Sequence, residues 1–170
     1  KSARTVLSKL GQLLRITLDE ERRERVTLVH EIDHVDNYLG IEAIRFKDRL
    51  QVRYDIPWDC QEALVPGMVL QPLVENSIKH GLDATNAEVC VTIEAQRRSG
   101  NIELSVSDNG RGCPDVTRAL DEGGIGLRNV RERLSLLHGA AGQFMVSSQH
   151  GAGFQVVLSF PFESRETSRS

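Results

Sequence analysis

The sequence predicts an α+β fold: a two-layer sandwich of a mixed, mainly antiparallel sheet of about five strands with helices on one face, preceded by a helical segment. Three observations carry that expectation. Apolar and polar residues alternate in RLQVRYDIP (49–57), EVCVTIEAQ (88–96) and NIELSVSDNG (101–110), the period of a strand with one buried face. Apolar residues recur at helical spacing in GLRNVRERLSLLHG (126–139) and in LVENSIKHGL (73–82). The strands fall into hairpin pairs with helices between the pairs, which suits two packed layers.

In chain order, residues 3 to 18 place Val6, Leu7, Leu10, Leu13, Leu14 and Leu18 on one helical face, and the charged run DEERRER (19–25) reads as a solvated linker. A second helix follows, with Val29, Ile32, Val35, Leu39 and Ile44 as its stripe. In the strand 49–57, Leu50, Val52, Tyr54 and Ile56 form the buried side. Pro66 precedes the helix of LVENSIKHGL. The next two strands are joined by the turn RRSGN (97–101), and residues 113 to 124 are irregular, ending in Gly-Gly. The helix 126–139 has Leu127, Val130, Leu134 and Leu137 inward and Gly139 as its C-cap. QFMVSSQ, a turn at HGAG and FQVVLSFPF close the sheet. The expected division is a helical segment over 1–45, an α+β domain over 46–162 and a disordered tail over 163–170.

Composition narrows the function. The 170 residues, 39% hydrophobic, suffice for one core. A net charge of -3, from 21 basic and 24 acidic residues, argues against a nucleic-acid binder. Cys60, Cys90 and Cys113 are scattered and odd in number, without metal-ligand spacing, which fits a reducing, cytoplasmic setting. No apolar run is long enough to span a bilayer and no signal peptide is visible, so no direct membrane contact is expected. The chain opens on Lys1 within a helical pattern, as a piece of a longer protein would.

Several motifs carry chemistry. Asp108 continues the parity of Ile102, Leu104 and Val106 and so points inward, where a carboxylate is costly without partners. Gly110 and Gly112 follow it and allow a tight backbone turn close to a ligand. GGIGL (123–127) sets glycines before a helix, where free N–H groups attract anions. It lacks the Gly-Lys-Ser/Thr of a P-loop. The GAGF turn (151–154) is explained by a hairpin alone.

Taken in order, LQPLVENSIKHGL, VSDNGRG and GIGLRNVRERLSLLHG, with LLRITL and VTLVHEIDHVDNYLGIEAIRFKDRL ahead of them, resemble the ATP-binding domain of the histidine kinase, gyrase, Hsp90 and MutL superfamily. More narrowly, the chain resembles the LytS-like branch of bacterial sensor histidine kinases, over about residues 5 to 162. The resemblance implies a Bergerat fold that binds ATP and Mg²⁺ and performs phosphoryl transfer. It matches Asn76 to the Mg²⁺ ligand, Glu75 to the catalytic acid beside it, and Asp108 to the acceptor of the adenine amino group. Lys79 and His80 would reach phosphate oxygens. Gly110 and Gly112 would pass under the base, and Gly124, Ile125, Gly126 and Leu127 would close over the phosphates. Phe154 departs from the pattern, standing where the superfamily usually has threonine.

The resemblance further implies a response regulator as partner, a homodimer in the intact protein, and a phosphoacceptor upstream of this chain. VHEIDHVDN (29–37) looks superficially like an acceptor box, but no proline follows, and His30 and His34 read as plain helix surface. Two alternatives stay open: an ATP-gated interaction module without phosphotransfer, and a serine kinase of the anti-sigma type from the same superfamily.

Overall fold

The computed structural model describes residues 24–46, 49–81, 88–116, 125–148 and 151–165. The helix expected over 3–18, Gly124 and the last five residues lie outside the described residues. The chain enters through β1 (Arg25–Thr27) and α1 (Leu28–Phe46). β2 (Leu50–Asp55), β3 (Leu64–Pro66) and α2 (Leu70–Gly81) follow. Next come β4 (Val89–Arg98), β5 (Asn101–Asp108) and α3 (Ile125–His138). β6 (Gln143–Ser148) and β7 (Phe154–Pro161) complete the order.

The main sheet has five strands in the order β2-β4-β5-β7-β6. β2 runs parallel to β4, and the other pairings are antiparallel. The expected α+β class, mixed sheet and hairpins are all present. The β4–β5 turn uses Ser99 and Gly100, both at positive φ (51° and 84°). Alternation places Val91, Ile93, Leu104, Val106, Val156 and Leu158 inward, against Leu73, Val74 and Ile78 of α2 and Leu127, Val130 and Leu134 of α3.

Four local expectations need correction. Residue 25 leaves the charged run to begin β1, which pairs antiparallel with β3, Val26 opposite Val65. The α1 stripe is rotated: its buried residues are Leu28, Glu31, His34, Val35 and Leu39, while Ile44 is exposed. His34 is therefore not plain surface. The polar pair went unrecognised because apolar periodicity cannot see a charged residue with a buried task. β2 is an edge strand. Its Leu50 and Val52 only partly reach the core, and the hydroxyl of exposed Tyr54 donates instead to Asp36 of α1. In α3, Leu137 is half-buried, and the adjacent His138 stacks on Phe160 at 4.7 Å. Gly139 does adopt the positive φ of a C-cap, 54°.

The tail also departs from expectation at its start. The Glu163 carbonyl accepts from Leu64 N–H at 2.7 Å, its carboxylate pairs with Arg25 at 2.7 Å, and Ser164 bridges to Ala63.

Candidate functional site

β5 ends in Asp108, whose parity turns its side chain toward the helices, as the sequence predicts; it is 9% exposed. Its Oδ1 accepts the Gly110 N–H at 2.9 Å, while its Oδ2 is buried and accepts nothing among the described residues. Burial pushes the carboxyl above its ordinary range. The Gly110 N–H, the Ser77 hydroxyl, the Phe154 N–H and His80 pull the other way. An unengaged buried oxygen is costly, and a ligand donor would relieve that cost.

α2 forms because Leu70, Leu73, Val74, Ser77, Ile78 and Gly81 make a buried stripe, with Ser77 its one hydroxyl. Pro72, lacking an N–H, is tolerated in the first turn, where that donor has no intrahelical partner. Asn76 is half-buried, and Glu75, Lys79 and His80 are exposed. His80 titrates below its ordinary value, first through desolvation and then through Lys79 and Arg111, with Asp108 opposing. Glu75 looks the other way: its carboxylate accepts from Gln71 Nε2 at 2.6 Å, and its charge is felt by Tyr38 of α1.

The loop after β5 closes onto α2 through backbone contact. A Cβ on Gly110 would lie 2.6 Å from the Gly81 Cα and 2.9 Å from Asp108 Oδ1, so residue 110 cannot carry a side chain there. Gly112 continues the turn at φ 63°. The Asn109 side chain accepts from Cys90 N–H at 2.7 Å and so fastens the loop to β4. The carbonyl of Arg111 accepts from Gly151 N–H, and Cys113 N–H donates to Ser148 Oγ, which donates to the Gly153 carbonyl. Gly153 sits at φ 83°, where a Cβ would be 1.9 Å from the Asp108 carbonyl oxygen. A cavity of about 500 Å³ abuts Asp108 from the sheet side, lined by Ser107, Ser147 and Gln155 among others, and no α2 residue reaches it.

α3 brings its first turn to the start of α2: a Cβ on Gly126 would lie 3.4 Å from Pro72 Cβ. Pro72 stands one helical turn before Asn76. Ile125 is 67% exposed, whereas Leu127 is core at 2%, so Leu127 could serve a ligand only through its backbone. The N–H groups of this turn lack intrahelical acceptors. The fold thus brings Ser77 and His80 of α2 together with Asp108 and Gly110, with Asn76 half-buried on the same helix, while Glu75 bonds to Gln71. Among the described residues no group of three or more His, Cys, Asp or Glu forms a metal cluster.

Sequence reasoning missed Ser77, the Phe154 N–H and Gly153. Ser77 was legible as the one polar residue in an apolar helical stripe. Phe154 lies opposite Asp108 in the β5–β7 register, a pairing that spacing alone does not reveal.

A family model described as "Histidine kinase-, DNA gyrase B-, and HSP90-like ATPase" matches residues 63–164, and one described as "Histidine kinase" matches 1–50. Sensor histidine kinase YesM of Bacillus subtilis is 33% identical over 95% of this chain and 28% of its own length. Sensor protein LytS of Staphylococcus saprophyticus is 34% identical over 98% of this chain and 29% of its own. The chain thus spans less than a third of these relatives. The histidine kinase domain of a blue-light activated kinase from Erythrobacter litoralis has the same fold, with a TM-score of 0.63 at 19% identity, covering 92% of this chain and 74% of that one.

Proposed function

Because the chain belongs to the histidine kinase-, DNA gyrase B- and HSP90-like ATPase family, we propose that it serves as the ATP-binding catalytic region of a sensor histidine kinase. The supporting observation is the buried, unengaged Oδ2 of Asp108. A carboxylate accepts only, so it suits the amino group of adenine and disfavours the carbonyl of guanine. Gly110 is held too close to Gly81 and Asp108 Oδ1 to carry a side chain, so no side chain of residue 110 competes for that oxygen.

Asn76 offers a neutral amide oxygen, a hard ligand suited to Mg²⁺. Lys79 and His80 are exposed on the turn beyond it and supply charge and donors for phosphate oxygens. The first-turn N–H groups of Ile125, Gly126 and Leu127, with Gly124 before them, complete the anion site. Glu75, exposed and bonded to Gln71 on the side of α2 toward α1, is the carboxylate that would orient an imidazole arriving from outside the pocket or take its proton. Bound Mg·ATP supplies the γ-phosphoryl group, and the chain's own work is positioning and charge neutralisation. The acceptor is a histidine other than His30 and His34. A response-regulator aspartate receives the phosphoryl group next, and the intact kinase is a homodimer.

The test is calorimetric titration of ADP and a non-hydrolysable ATP analogue, with and without Mg²⁺, alongside GDP. The wild-type chain should prefer adenine, and Asp108→Asn should bind at least about tenfold more weakly, the worth of one charge-assisted contact. Equal binding by the variant, or no discrimination against GDP, would defeat the assignment. Incubation with ATP alone should leave His30 and His34 unlabelled, and phosphohistidine at either would relocate the acceptor.

A further inference from the structure

We propose that Glu31 of α1 is a positioning residue for the nucleotide site, fixing the start of α2 and thereby the placing of Ser77 against Asp108 and of Asn76 beside it on the same helix. The inference rests on the nucleotide reading of that site.

α2 carries no cap of its own. The residues ahead of it, Gly67, Met68 and Val69, have no side-chain oxygen to accept its first N–H groups. Glu31 supplies that acceptor from another helix. Its Oε1 accepts Met68 N–H at 2.7 Å, and its Oε2 accepts Val69 N–H at 2.8 Å and Leu70 N–H at 3.0 Å. The side chain is 1% exposed, so these bonds form out of water. A carboxylate at a helix N-terminus also complements the helix dipole.

Two further features mark the junction as closely determined. Met68 holds φ 59°, a conformation a non-glycine residue keeps only when its surroundings impose it. Gly67 is held on both sides, its carbonyl accepting from the Arg133 guanidinium of α3 and its N–H donating to the Glu24 carbonyl at 3.2 Å. From Leu70, rigid helix leads to Asn76 in under two turns. A shift at the clamp would therefore be carried directly to the residues facing Asp108.

The experiment compares Glu31→Gln with Val35→Ala. Gln keeps the shape but has one acceptor oxygen for three donors and turns an NH₂ toward N–H groups. Val35 is fully buried on the same helix, and its truncation removes core volume while sparing the carboxylate. Both are titrated with ADP and Mg²⁺ well below their unfolding temperatures. Glu31→Gln should raise Kd about tenfold or more and shrink the gain in affinity that Mg²⁺ confers. Val35→Ala should lower thermal stability with Kd near wild type. Equal Kd in Glu31→Gln and wild type, or equal losses in both variants, would overturn the proposal.

Nucleotide-free amide exchange gives a second readout. Glu31→Gln should exchange faster across 70–78 and at Gly110, and Val35→Ala should not. A wild-type chain that binds no nucleotide defeats the nucleotide reading itself, and exchange then still decides whether Glu31 positions α2.

Discussion

Asp108 shows how one residue can be kept at a cost for a ligand. Its carboxyl is held above the ordinary value of 3.8 mainly by burial. The folded chain therefore grips that proton more tightly than the unfolded chain does. The associated stability is fully present below 3.8 and is lost as pH rises through the folded-state value. Without nucleotide, the melting temperature of wild type relative to Asp108→Asn should fall from about pH 4 to about pH 7. Thermal denaturation across that range checks it, and a flat difference would mean that Asp108 carries no penalty. The inward parity of Asp108 was legible because alternation in a strand is strict. The Phe154 N–H was not, and Ser77 stood out only as the polar residue of an apolar stripe, because the closeness of both to Asp108 arises from packing between distant elements.

Among the elements, the β6–β7 turn has more to do than join two strands. Gly151 and Gly153 share a positive φ, 79° and 83°, yet differ in surroundings. Gly151 faces open space, and Gly153 presses on the Asp108 carbonyl. Gly151→Ala should cost about 1–2 kcal/mol from backbone strain alone. Gly153→Ala adds a steric clash and should cost about 3 kcal/mol or more, with weakened nucleotide binding. Denaturant unfolding of both variants would separate the two effects. In sequence this turn reads as an ordinary hairpin, since glycine spacing shows the need for positive φ but not what lies opposite. The strands were easier to place, and α1 was legible as a helix but not in its facing. Its buried Glu31 answers a demand made by α2, 39 residues away.

For the whole molecule, the position of α1 matters most. Leu28, Val35 and Leu39 belong to the same core as the sheet, and α1 packs on α2. A chain beginning at residue 46 would lose all three together with the Glu31 clamp. Each such loss costs about 2–5 kcal/mol, against a typical total stability of about 5–15 kcal/mol. That truncation should show no cooperative melt, whereas one beginning at Glu24 should; near-ultraviolet circular dichroism on heating distinguishes them. The sheet and its class were legible at this scale because they follow from alternation and hairpin spacing. The β1–β3 ribbon was hidden, because three-residue strands give too short a pattern.

β3 receives partners on both flanks. β1 pairs along one side, and the Glu163 carbonyl accepts Leu64 N–H from the other, with the Arg25–Glu163 ion pair close by. The first and last stretches of the described residues therefore meet at a single corner. The entering strand and the leaving segment are thus fastened to each other through β3, so strain applied to one is felt by the other.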